Sequence, residues 1–282
     1  MITKNETKTA TWNNYYAIIW KDIKPPIRPY EEEIRYFKEI LKNKVDSEID
    51  VKVLILGSTP ELRDIVYSLN LSPTVVDYSI ENYQLMGELC RYERNDTVVH
   101  CDWMDMLGTL SPGSFDIILG EAAFNVIRPE YAEKLFCICN KLLKESGQLL
   151  IKQWIRFSNS RPTITDLQRV TDKKCEDFYF SNCYPLHIMF YDFENEVVYL
   201  KEIARQLEIL FQQGKITYQE YQSIERLNYS KVELNVYIPT ETDFGQSFDK
   251  YFSIFSVLKS NVKYGDFHPI YVLSKNYEDS IL

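Results

Sequence analysis

"VLILGSTPELRD", Val53 to Asp64, reads as a buried strand that turns directly into a helix: four apolar residues, one glycine, then Pro60 where a first helical turn begins. Strand-to-helix turns that cradle a phosphate usually carry two or three glycines, because the backbone must come close to the ligand. Here Gly57 stands alone, and Thr59 and Glu61 occupy the later positions. Ser58 and Glu61 have capping-box spacing, and Thr59 before Pro60 equally suits an N-cap followed by proline at N1. The favoured reading of Glu61 is thus a helix-start residue. An acid there would also repel a pyrophosphate while tolerating a cationic ligand.

Outward from this turn the chain alternates. Strands are expected at "VKVLILG", "PTVVDY", "DTVVHC", "FDIILG" and "QLLIKQW", with helices at Pro60–Leu69, Ile80–Glu93 and Pro129–Lys144. Continuous apolar strands separated by amphipathic helices imply a parallel sheet covered on both faces. At the C-terminus "SIFSVLKSNVKYGDFHPIYVLSK" offers two strand-like runs joined by too short a connection for a crossover helix, so these two should be antiparallel. Between Trp154 and about Asp249 lies a stretch too long for a connection, with helical pattern in "ENEVVYLKEIARQLEILFQQG" and "TYQEYQSIERLN", and an inserted helical layer is expected. "WNNYYAIIWKDIKPPIRP" near the N-terminus fits a short helix and an extended arm, followed by a helix in "EEEIRYFKEILKNK".

In open α/β sheets ligands bind at the carboxyl ends of the strands. Asp77 ends the second strand, where a carboxylate can hold a ribose diol. Asp102 and Trp103 follow the third, suited to an adenine amino group and its ring face. Glu121 follows the fourth.

The motifs "VLILGSTPEL", "VVDYS", "HCDWMDM", "GSFDIILGEAAFNVI" and "NKLLKESGQLLIKQW" resemble those of class I S-adenosylmethionine-dependent methyltransferases, over Val51 to Ile155 and again through the C-terminal hairpin. More narrowly, the chain looks like a bacterial subgroup with a G-x-T-P-E-L-R turn and an aromatic N-terminal arm. The resemblance implies a Rossmann-like α/β fold: a mostly parallel sheet with an antiparallel C-terminal hairpin, plus a helical insertion. Its implied units are an arm and helix over 1–45, a cofactor-binding core over 46–155, a cap over 156–249 and the hairpin over 250–282. S-adenosylmethionine would contact Gly57, Ser58, Thr59, Asp77, Tyr78, Asp102, Trp103 and Glu121. Tyr15, Tyr16, Trp20, Asn125 and Trp154 would face the substrate or form a lid. The expected lid is the arm from Trp12 to Pro29, whose aromatics could wall a sulfonium by cation–π attraction.

The expected activity is methyl transfer to a small molecule, with no catalytic residue assigned because an activated sulfonium needs mainly alignment and exclusion of water. Two alternatives share the cofactor: transfer, cyclisation or elimination of its aminocarboxypropyl chain, and a non-catalytic binding subunit or sensor. A nicotinamide dehydrogenase is disfavoured by the missing G-x-G-x-x-G. The formal net charge of −9 and the lack of Lys/Arg clusters argue against nucleic acid as partner. Short apolar runs and a polar N-terminus predict a cytoplasmic protein without membrane attachment. The six cysteines include no CxxC pair, and His100, His187 and His268 are far apart in sequence, so neither a metal site nor a histidine base is expected.

Overall fold

A computed structural model describes residues 15–93, 95–172, 175 and 177–276. The opening strand, β1 (Val53–Leu56), is buried along its whole length and pairs in parallel with β2 (Thr74–Asp77) on one side and β4 (Phe115–Glu121) on the other. Beyond them lie β3 (Thr97–His100), parallel to β2, and β5 (Leu143–Lys152), parallel to β4. The antiparallel pair β8 (Phe252–Leu258) and β9 (Ile270–Lys275) completes the sheet, giving the order β3-β2-β1-β4-β5-β9-β8. As expected, the C-terminal hairpin is antiparallel. The chain reverses its direction of travel across the sheet between β1 and β4, and at such a switch point the strand ends open a crevice.

One face of the sheet is covered by α2 (Glu31–Ser47) and α3 (Pro60–Tyr67), whose Phe37, Leu41, Leu62 and Val66 pack on Val53, Ile55 and Ile117. The other is covered by α5 (Ala132–Leu142), where Leu135, Phe136 and Cys139 meet Leu54, Ile118 and Leu149. Between β2 and β3, α4 (Ile80–Gly87) ends six residues short of the expected Glu93. The chain turns there and brings Asp96 back to Arg63, a fully buried side chain whose guanidinium ion-pairs with that carboxylate, with Tyr83 Oη donating to it at 2.9 Å. A buried arginine needs such a partner, and this need overrides the helical pattern.

The segment after β5 builds a second apolar cluster, with the short α6 (Phe178–Ser181) and α7 (Cys183–Met189), then α8 (Leu200–Gln212) and α9 (Tyr218–Glu225), whereas α10 (Glu241–Phe248) returns Phe244 and Phe248 to the sheet core beside Phe136. A capping box of Thr217 and Glu220 starts α9, and Glu220 also receives Arg169 at 2.6 and 2.7 Å. This segment also holds a two-stranded antiparallel sheet of β6 (Val198–Tyr199) and β7 (Asn235–Val236). Sequence periodicity missed it because two residues carry no period. The arm helix α1 (Tyr15–Ile19) is followed by Trp20 and Ile23, and these two buried residues belong to the second cluster rather than to the sheet core. Among the described residues no helix is long and apolar enough to cross a membrane.

Candidate functional site

A cavity of about 470 Å³ opens at the carboxyl ends of β1, β2 and β4. Gly57, Ser58, Thr59, Asp77, Tyr78, Asp102, Trp103, Glu121, Asn125, Trp20 and Trp154 all line it. The side chains of Tyr15 and Tyr16, and all of Trp12, lie outside the described residues.

Gly57 adopts φ +84° while its N–H donates to Val76 O at 2.9 Å, a conformation that a side chain would strain. Its open face meets the Trp103 ring, since a Cβ built there would lie 3.5 Å from Trp103 Cζ2. Trp103 is held by Nε1, which donates to Val76 O at 3.1 Å. Asp102 caps the short turn Trp103–Gly108 by accepting from Met104 N at 3.0 Å, and its residue still borders the cavity. Asp77, only 6% exposed, accepts from the Ser58 hydroxyl and from Ser79 N at 2.8 Å. Burial raises its pKa, opposed by the hydrogen bonds from Ser58, Ser79 and Asn82.

Of the two helix starts read in the sequence, the turn takes the Thr59–Pro60 one and not the Ser58–Glu61 capping box. The Ser58 hydroxyl goes to Asp77, and Thr59 is the N-cap, with Pro60 following. Glu61 neither caps nor lines the cavity. Its Oε1 accepts from Trp20 Nε1 at 3.3 Å and Arg28 Nε at 2.8 Å, and the guanidinium forms an ion pair with it. Glu61 is an anchor for the arm, and with its charge offset by Arg28 it is not the group that discriminates between anionic and cationic ligands.

Glu121, by contrast, does line the cavity. At the end of β4 its Oε1 lies 3.2 Å from Lys152 Nζ, at the end of neighbouring β5. Lys152 is 0% exposed; it also contacts Glu33 Oε2 at 2.9 Å and donates to Pro26 O at 2.9 Å. Two carboxylates share one ammonium, leaving a net negative charge when all three are ionised. Burial pushes the Glu121 pKa up to about 7 against the pull of Lys152, with Glu33 adding to the rise. Burial acts to lower the Lys152 pKa, but Glu33 and Glu121 outweigh it and the net shift is upward.

Asn125 contributes wall rather than a spare polar group. Its Nδ2 donates to Trp154 O at 3.0 Å and Tyr237 O at 2.6 Å, and its Oδ1 accepts from Trp154 N at 2.9 Å. Opposite the strand ends, Met86, His187, Leu200, Tyr229, Leu234 and Tyr237 close the cavity. Of these only His187 falls in a stretch, "DFYFSNCYPLHIMFYDF" over 177–193, whose aromatic density suggests the underside of a cap or the lining of a substrate pocket; the others carry no such signal. Asn82 also lines it, and here a signal existed: Asn82 stands three residues after Ser79, whose hydroxyl caps α4 by accepting from Asn82 N at 3.1 Å. Among the described residues no group of three or more His, Cys, Asp or Glu could hold a metal ion.

No protein-family model and no curated protein matches the chain. Solved structures do. The CcbJ methyltransferase from Streptomyces caelestis is 9% identical with a TM-score of 0.59, over 95% of this chain and 99% of that one. A Rhodobacter sphaeroides protein assigned by name to the zinc-dependent alcohol dehydrogenases is 14% identical with a TM-score of 0.60, over 96% and 100%. The PH0226 protein from Pyrococcus horikoshii OT3 is 13% identical with a TM-score of 0.53, over 91% and 98%. At these identities the likeness is one of fold, and that fold is the Rossmann-like, mostly parallel sheet found in methyltransferases.

Proposed function

We propose that the chain binds S-adenosylmethionine and transfers its methyl group to a small molecule. The observation that carries this reading is the buried Asp77 carboxylate on the same cavity as Gly57, Trp103 and the negatively charged end of β4. The donor set fits the cofactor. Asp77 would hold the ribose hydroxyls, Asp102 and Trp103 the adenine, and the Gly57 backbone the methionyl part. Glu121, whose buried Oε1 has no hydrogen-bond partner beyond its off-line contact with Lys152, would face positive charge. No backbone nest of glycines is present to take a pyrophosphate.

Once bound, S-adenosylmethionine supplies a methyl group already activated by a sulfonium. The protein then has to align and dry the site. Trp20, Met86 and Trp154 contribute apolar cover, and the arm carrying Trp20 is fastened to α3 through Glu61. The lining from 187–237 closes the cavity on its far side, which suits a small acceptor better than a polymer.

Calorimetry with S-adenosylmethionine and with S-adenosylhomocysteine tests the reading, followed by product analysis. Binding together with formation of S-adenosylhomocysteine supports methyl transfer. Methylthioadenosine as the product would assign side-chain chemistry, binding without turnover would assign a sensor, and no binding would overturn the proposal.

A further inference from the structure

His187 is a buried cavity residue whose chemistry the methyl-transfer reading does not use. It sits on α7, is 2% exposed, and lines the cavity. Its Nδ1 lies 2.7 Å from Cys183 O. A carbonyl oxygen only accepts, so Nδ1 carries the proton and Nε2 carries the lone pair. Among the described residues Nε2 has no hydrogen-bond partner, yet it is not among the polar atoms sealed from solvent, so its free edge is the one left to the cavity. Trp154 fixes the ring from the side, edge-on with centroids 5.1 Å apart. The result is a neutral imidazole with one set tautomer and one unspent acceptor.

The surroundings say what kind of donor could meet it. Leu200, Leu234, Val236 and the rings of Trp154 and Tyr229 form this side of the cavity. The ionised groups nearby stand at the rim: Glu233 pairs with Lys201 at 2.7 Å, and Arg128 lies 3.7 Å from Glu130, all with side chains about half exposed. A charged acceptor would reach His187 without a counter-ion, whereas an uncharged planar molecule with a single hydroxyl brings one donor to one acceptor.

We propose that His187 is the proton acceptor of the reaction and that the methyl acceptor is an uncharged aromatic hydroxyl compound. This rests on the methyl-transfer reading. As the acceptor oxygen forms its bond to the methyl carbon, the electron pair of the breaking carbon–sulfur bond leaves with sulfur. The hydroxyl proton passes to Nε2, and the imidazolium later returns it to water.

A weak base suffices for this order of events. Burial lowers the His187 pKa to about 4. A free phenol, with a pKa near 10, would hardly release its proton to it. The attacking oxygen gains positive charge as its bond to carbon forms, however, and its proton becomes far more acidic than that of the free hydroxyl. The titratable groups packed around the ring are Cys183 on its own helix, Tyr179 on α6, and His268, with Lys152 acting on the last. Burial holds Cys183 up and His268 down, so both stay neutral near pH 7 and the Nε2 lone pair stays available.

The test uses the full chain labelled with ¹⁵N-histidine, with and without S-adenosylhomocysteine, and phenol and benzene as probes. His187 should show an unprotonated Nε2, unchanged between about pH 6 and 8. Phenol should move that resonance and benzene should not. His187→Gln assigns the signal, and it should weaken phenol binding about tenfold while benzene binding and S-adenosylhomocysteine affinity hold. A protonated Nε2, or equal responses to phenol and benzene in a protein that binds S-adenosylhomocysteine, would overturn the inference alone. Absence of S-adenosylhomocysteine binding would overturn the methyl-transfer reading and the chemical role of His187 with it.

Discussion

The cavity has two walls made by different means. The strand-end wall is built from backbone geometry: Gly57, Asp77, Asp102 and Glu121 each stand at the last residue of a strand or within two steps beyond it, and the sheet order brings them together. The opposite wall is built from packing: His187, Leu200, Tyr229 and Leu234 come from separate parts of the segment after β5, and the three apolar ones belong to one buried cluster. The first wall carries buried charge and the second carries almost none. A ligand's charged and hydroxylated parts belong to the first, and its apolar parts to the second.

The sharpest challenge to this contrast is Lys152→Met. It leaves Glu33 and Glu121 buried without their ammonium, and we expect a loss of about 3–5 kcal/mol of stability, read by urea unfolding. A change under about 1 kcal/mol would mean that the charge network is not what holds the ends of β4 and β5 together. Next in size, Asp77→Ala should weaken S-adenosylmethionine binding by about 1–3 kcal/mol in calorimetry, with the protein still folded. Leu234→Ala, on the packed wall, should leave that affinity within about 0.5 kcal/mol. Equal effects at the two positions would erase the distinction between the walls.

Glu121 gives a pH signature. Its pKa near 7 in the folded chain lies above that of a free glutamate, so the site gains its negative charge as pH rises through about 7. Affinity for the cationic cofactor should climb up to about tenfold between pH 6 and 8, and Glu121→Gln should flatten the curve. The linkage for stability runs the other way. A carboxyl whose folded pKa is raised holds its proton more tightly in the folded chain, so its contribution falls as pH rises from about 4.5 to 7. The smallest effect concerns the arm. Arg28→Ala removes a partly exposed ion pair and should cost at most about 1 kcal/mol of stability. In hydrogen exchange, the amides of residues 15–29 should gain protection when cofactor binds, as a lid would. Equal protection with and without cofactor would make the arm a packing element.

The same contrast explains what could be read from the sequence. Strand ends are legible because a run such as Val53–Leu56 has a clear apolar pattern and the next residue is therefore at a known edge of the sheet. Asp77 and Trp103, which line the cavity, are located at strand ends in this way. Glu61 does stand in the first helical turn behind the Thr59 N-cap and Pro60, as read, but its side-chain partners, Trp20 and Arg28, lie 41 and 33 residues away in the chain and no local spacing shows them. His187 is weighed in the sequence and set aside as a base because its two distinguishing features are spatial: a tautomer fixed by the carbonyl one turn back, and an edge turned to a cavity formed by residues from far along the chain. No periodicity encodes either one.

Asn125 adds a consequence for how such a protein can diversify. With three hydrogen bonds it fastens the backbone on both sides of Trp154, just past β5, and reaches across to Tyr237, just past β7. One of the links that hold the segment after β5 over the sheet is thus an amide on main-chain atoms, whose chemistry is the same whatever side chains surround them, beside those of Tyr184 and Arg156 to Ile155 O and Ile238 O. Residues such as Leu200, Tyr229 and Leu234 are then free to drift, remodelling the mould that receives the acceptor without changing how far that mould stands from the strand ends. Evolution can retool one half of the machine while the other keeps its alignment.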